Sequence, residues 1–175
     1  MSTEPFRIDH HWSPEAAGEP EPVRDPSPLW RAMRRFIGTR RGGFTLHVGA
    51  LPLAFDLAPD LSTIFAELPG VLEHLASGAP GPVELDFFEP GSGLALELER
   101  DCDAIRIRPR RGDGIGARFR GLAEDEHRVP AREFLCAWGA FLGAVLDALA
   151  ADDATLSAGP ELGAYRRRIQ GVCAA

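Results

Sequence analysis

The sequence has no lysine, no asparagine, a single tyrosine, two methionines and three cysteines among its 175 residues. All 19 bases are therefore arginines. Arginine, alanine, glycine and proline use GC-rich codons, whereas lysine and asparagine use AT-rich ones. A high-GC bacterial genome accounts for the missing lysine without any functional cause. Cys102, Cys136 and Cys173 are odd in number and widely spaced. That pattern suggests neither a disulfide framework nor a zinc ligand set, and the expectation is a reducing cytoplasm. No stretch reaches the ~20 apolar residues of a membrane span. Met1 to His10 lacks the apolar core and cleavage signature of an exported chain. Net positive charge is also missing: 19 bases against 26 acids leave −7. A nucleic-acid binder carries the opposite balance, so neither nucleic acid nor a membrane is the expected partner.

What is present suits one soluble domain with a tail. Hydrophobic residues make up 45% of the chain and charged ones 26%, ordinary for a globular fold of this length. Residues 1–27 hold five of the 15 prolines, six acids and two arginines. Such a segment buries too little surface to offset its ordering entropy and reads as a mobile acidic tail. Phe6, Ile8 and Trp12 are its exceptions, able to dock on the domain or on a partner. The domain, residues 28–175, opens at Ser27-Pro28, a cap followed by proline at the first helical position. Leu29, Trp30, Met33, Phe36 and Ile37 then share a helical face closed by Gly38. Phe44, Leu46 and Val48 followed by Leu51, Leu53, Phe55 and Leu57 predict a β-hairpin, with Pro52 placing its second strand at a sheet edge. Asp60 is the expected cap of a helical segment over Leu61 to Leu75, interrupted at Pro69-Gly70 by a kink or divided into two short helices in succession.

Residues 83–120 carry the firmest pattern. Val83, Leu85 and Phe87, then Leu94, Leu96 and Leu98, then Ile105 and Ile107, then Ala117 and Phe119 alternate with charged residues. Period-2 alternation broken by turn residues predicts a four-stranded antiparallel meander with one wet face. Phe134 to Leu149 forms a helix whose residues 134–146 carry no charge, so it is expected to be buried on several sides, with Gly139 and Gly143 permitting close approach and Asp147 ending the apolar run. A last helix from about Gly159 turns Leu162, Tyr165, Ile169 and Val172 inward. The expected order is α-β-β-α-β-β-β-β-α-α. The fold class is α+β, an antiparallel sheet covered on one face by helices.

Candidate chemistry is sparse. Ser92 lies in Pro-Gly-Ser-Gly between two strands, a hairpin turn and not a strand-to-helix nucleophile elbow. Cys102 sits between Asp101 and Asp103, whose charges disfavour a thiolate. His10, His11, His47, His74 and His127 show no metal-ligand spacing, and Gly112, Gly114 and Gly116 precede a predicted strand where a phosphate loop requires a helix. No catalytic residue, metal ligand or cofactor is assigned. Arg31, Arg34, Arg35, Arg40 and Arg41 form a basic group balanced by the acidic tail.

The wet face of the meander is sorted by charge. Glu84 and Asp86 lie on its first strand and Glu97 and Glu99 on its second. Arg106 and Arg108 lie on the third, Arg118 and Arg120 on the fourth. Cross-strand acid–arginine pairs at the central boundary are worth about 0.2–1 kcal/mol each, while the outer strands set like charges side by side. A sheet that needed only solubility would interleave its signs. This face, with Phe88 beside it, is the candidate partner-binding surface.

The order of the Leu61–Leu75 helix, the Phe87-Phe88-Glu89 strand end, the Leu94–Glu99 strand and the Phe134–Leu149 helix resembles small bacterial immunity-type proteins of polymorphic toxin systems. The resemblance covers residues 45–150, rests on element order, and carries no residue-level role. It implies a cytoplasmic, non-enzymatic, acidic protein that neutralises a cognate toxin by binding it. Two alternatives stand beside it. One is a small enzyme with a site assembled from His47, Asp56, Glu124 and His127. The other is an assembly protein, homo-oligomeric or not, joined through the Arg31–Arg41 helix or the aromatic tail.

Overall fold

Alternation of apolar and polar side chains builds two antiparallel sheets, and the long helix with the uncharged 134–146 stretch lies against both. The computed structural model describes residues 3–14, 27–87, 93–112, 119, 122–157 and 159–173. Strands β1 (Phe6–Pro14), β2 (Arg40–Val48) and β3 (Leu51–Asp56) form a three-stranded sheet in the order β1-β2-β3. Strands β4 (Val83–Asp86), β5 (Leu94–Asp101), β6 (Ala104–Arg111) and β7 (His127–Pro130) form a four-stranded meander in chain order. The fold class is α+β, as the patterning predicts.

The helices are α1 (Pro28–Gly38), α2 (Ser62–Ile64), α3 (Leu68–Ser77), α4 (Ala131–Asp152), α5 (Ala154–Ser157) and α6 (Pro160–Cys173). Ser27 caps α1 as expected, its hydroxyl accepting from the Trp30 N–H at 3.2 Å. Thr39, rather than Gly38, is the residue at which α1 closes. The Leu61–Leu75 segment is two helices in succession, the second of the two expected forms, with the break at residues 65–67, ahead of Pro69. Proline has no N–H to donate and so belongs in the first turn of α3, not in the middle of a longer helix. Asp60 caps no helix; it is fully buried in the turn after β3, and its carboxylate accepts the Asp56 N–H at 2.8 Å.

Three further expectations are corrected. The segment read as a mobile tail contributes β1, paired with β2 over nine residues from Phe6–Val48 to Pro14–Arg40. Phe6 is buried, its ring 4.8 Å from Phe134, and Trp12 meets Phe36 edge-on at 5.5 Å. Residues 15–26 lie outside the described residues. Second, the fourth strand of the meander is His127–Pro130, not the run at 117–120. Of that run only Phe119 is described; it is buried, 5.6 Å from the Phe55 ring, in a helical turn closed by the Leu122 N–H on its carbonyl. Third, Cys136 and Cys173 are joined in a disulfide, although they stand 37 positions apart in sequence. Cys102 is free and exposed.

The core lies where α4 packs on β1 of one sheet and on β6 and β7 of the other. Trp138, Phe134, Phe141, Leu142, Val145 and Leu146 of α4 are buried in the core, with Trp138 and Phe141 against the Phe44 ring. At 22 residues α4 is long and apolar enough to cross a membrane, yet these side chains form the centre of the hydrophobic core. The sheets approach each other on two sides. On one, the Glu4 N–H donates to the Arg128 carbonyl of β7 at 2.6 Å; close by, the Phe6 N–H donates to the Glu133 carboxylate of α4 at 3.1 Å. On the other, Phe55 at the end of β3 stacks on Phe87 at 4.2 Å.

Candidate functional site

The four-stranded sheet turns Leu85, Leu96, Leu98, Ile105, Ile107 and Val129 into the core. Its opposite face therefore carries the intervening residues of each strand. The pairing register sets Glu84 opposite Glu97, Glu97 opposite Arg108, and Glu99 opposite Arg106. The register also places Arg106 opposite Arg128. Glu84, Asp86, Glu97, Glu99, Arg106 and Arg108 thus lie on one sheet and one face, as the alternation predicts. Arg118, Arg120 and Phe88 lie outside the described residues. The fourth strand's place is taken by β7, which brings Arg128 instead.

Carboxylates and guanidinium groups on this face form a lattice of one linked chain and, beside it, one separate pair. Arg106 donates to Glu99 at 2.5 Å and Arg108 to Glu97 at 2.8 Å. Glu97 also accepts from Arg110. Glu126, just before β7, accepts from Arg108 at 2.8 Å and lies 4.0 Å from Arg106. Arg128 reaches over β6 to Asp101 on β5 at 2.6 Å. The reach is diagonal, since Arg128 stands opposite Arg106 and Asp101 opposite Ala104. The Arg128 hydrogen bond holds the Asp101 carboxyl below its ordinary range. Glu124 is lowered in the same way, chiefly by the hydrogen bond from Arg111 at 3.0 Å.

These groups are half-exposed: Arg106 keeps 33% of its side-chain surface, Glu99 36% and Arg108 42%. The lattice is thus both accessible to a partner and ordered by its own pairs. Four of its members, Asp101, Arg110, Glu126 and Arg128, are absent from the sequence-based list. Asp101 and Arg110 simply continue the period-2 series 97-99 and 106-108 by one step. Arg128 follows only from recognising β7, whose single buried residue is Val129. One apolar residue cannot mark a strand.

The residues of the enzyme reading are not brought together. His47 lies 2.9 Å from Asp9 on the neighbouring strand, and Asp56 lies across from Gly43 on the same hairpin. Glu124 is engaged by Arg111, and His127 is 3.1 Å from Glu4. That last pair edges an open groove lined by Pro5, Val48, Gly49, Ala50 and Leu51, and among the described residues no hydroxyl or thiol side chain lines it. Of the basic group on and after α1, Arg40 pairs with Asp152 and stacks over Phe36, and Arg35 lies 3.8 Å from Asp153. His10 stacks on Trp12 at 4.6 Å. Among the described residues no three His, Cys, Asp or Glu side chains converge as metal ligands.

Comparison with known proteins returns no match: no family model, curated sequence or solved structure aligns significantly with the chain.

Proposed function

We propose that this chain is a non-enzymatic, cytoplasmic protein-binding module of the immunity type, which takes its partner on the ionic face of the four-stranded sheet. The observation that carries the reading is the strand-by-strand sorting of charge, with acids on β4 and β5 and arginines on β6 and β7. Exposed pairs of this kind contribute about 0.2–1 kcal/mol each, and interleaved signs would contribute as much. Stability alone therefore does not call for the sorting. A polar face fixed in position by its own pairs loses little side-chain entropy on association. Its charge pattern accelerates encounter with a complementary surface and rejects like-charged ones.

The test exchanges one central pair, Glu99→Arg together with Arg106→Glu. The ion pair survives with its direction reversed, and the unfolding free energy stays within about 1 kcal/mol of the parent. Tagged wild-type protein and the exchanged variant are used to capture partners from the native host. A protein captured by the wild type is expected to bind the variant at least tenfold more weakly, about 1.4 kcal/mol. Equal binding by the folded variant would remove this face from the interface.

A further inference from the structure

We propose that Cys136 and Cys173 form a reversible thiol–disulfide latch that sets whether the last turn of α6 is closed on α4. The upstream part of α6 is well secured. Leu162, Tyr165 and Ile169 are buried, and the Tyr165 hydroxyl donates to the Phe65 carbonyl at 2.7 Å. Arg166 pairs with Asp147 at 2.6 Å, and Arg168 grips Glu73 through two bonds at 2.6 and 2.7 Å. Beyond Ile169 the attachments thin out. Gln170, Gly171 and Cys173 are exposed, leaving Val172 and the disulfide as the holds on that turn. Glycine is the weakest helix former after proline, so this turn frays when its tether opens.

The tether closes one end of a real depression. α4 and α6 flank an open cleft of about 540 Å³, with the two cysteines at one end and the Asp147–Arg166 pair at the other. Gly139 and Gly143 lie along the α4 side, and a methyl group at Gly139 would come within 3.6 Å of the Ile169 carbonyl. The helices thus meet closely enough to bring the two sulfurs together, while the exposed Cys173 leaves them within reach of an external thiol.

The chemistry is thiol–disulfide exchange. One cysteine thiolate attacks a low-molecular-weight disulfide, RSSR, and releases RSH with formation of a mixed disulfide. The second thiolate then attacks the protein sulfur of that intermediate and expels another RSH. The protein pair gives up two electrons and two protons, and two RSH reverse the sequence. In a reducing cytoplasm the latch rests open and closes on oxidation.

The experiment equilibrates the full chain in buffers of reduced and oxidised glutathione at graded ratios. Thiol alkylation and amide hydrogen exchange are then read by mass spectrometry. Cys136 and Cys173 are expected to lose alkylation together as the oxidised fraction rises, while Cys102 alkylates throughout as the internal reference. Amides of Gln170–Cys173 are expected to exchange at least fivefold more slowly in the oxidised form, with β5 and β6 unchanged. A Cys136→Ser/Cys173→Ser variant should match the reduced form in every buffer. The proposal is overturned if the two thiols alkylate at all ratios. It is equally overturned if the disulfide forms with less than a fivefold change at residues 170–173, or with an equal change throughout the chain.

Discussion

Cys102 occupies the first position of the two-residue turn between β5 and β6 with φ +56°, a conformation that suits glycine far better than a side chain bearing Cβ. Arg100 on β5 holds this turn by donating from Nε to the Cys102 carbonyl at 2.6 Å, and reaches the Leu75 carbonyl of α3 at 3.3 Å. Cys102→Gly is therefore expected to raise stability by about 1 kcal/mol, read as a rise in the denaturant midpoint at constant slope. A fall would show that the cysteine side chain supplies something the backbone strain conceals. The turn at Asp101-Cys102-Asp103 is legible in the sequence, but the left-handed conformation of its single cysteine is not, because no glycine marks that position.

At the scale of elements, β1 decides how the three-stranded sheet closes over α4. Phe6 anchors it, buried against Phe134, and Glu133 at the start of α4 accepts its N–H. Phe6→Ala is expected to cost about 3 kcal/mol by leaving a cavity at that contact. In a mobile tail the same substitution would be neutral, so thermal or denaturant unfolding separates the two pictures. Phe6, Ile8 and Trp12 do alternate, and the strand signal is present in the sequence. It is masked by proline and acid content typical of unfolded segments, and the partner edge of β2 lies more than 25 residues downstream. Strands β4, β5 and β6 were legible because each carries two or more apolar residues in strict alternation between marked turns. β7 was not, and Phe119 was misassigned to a strand because a buried aromatic in a helical turn satisfies the same short pattern.

For the whole molecule, ion pairs tie the surface together, and their protonation sets the acid limit of the fold. Hydrogen bonds from arginine hold Asp101, Glu124 and Glu73 below their ordinary carboxyl range. Asp153 is lowered mainly by the Thr155 hydroxyl. Glu161 is lowered mainly by the Leu29 N–H at the start of α1. A carboxyl whose folded pKa lies below its unfolded value adds stability above the unfolded pKa, and that stability disappears as pH falls through the folded one. Unfolding free energy is therefore expected to decline from about pH 4.5 downward, the upper edge of the unfolded carboxyl range. Because the groups are exposed, each contribution is small and screened by salt. Denaturant titrations at a series of pH values check this, and Arg128→Gln should flatten the slope by removing the Asp101 contribution.

The alternation of apolar and charged residues by itself determined the fold class, the inner and outer faces of β4 to β6, and the placing of acids and arginines on neighbouring strands. These are local properties: side-chain period follows from backbone geometry within a few residues. Only the tertiary structure decided that the N-terminal segment is a strand, that Arg128 lies beside Arg106 on the ionic face, and that Cys136 meets Cys173. Each depends on which distant surfaces adjoin after the two sheets fold around α4. That adjacency is set by the packing of the whole core, and no local pattern encodes it.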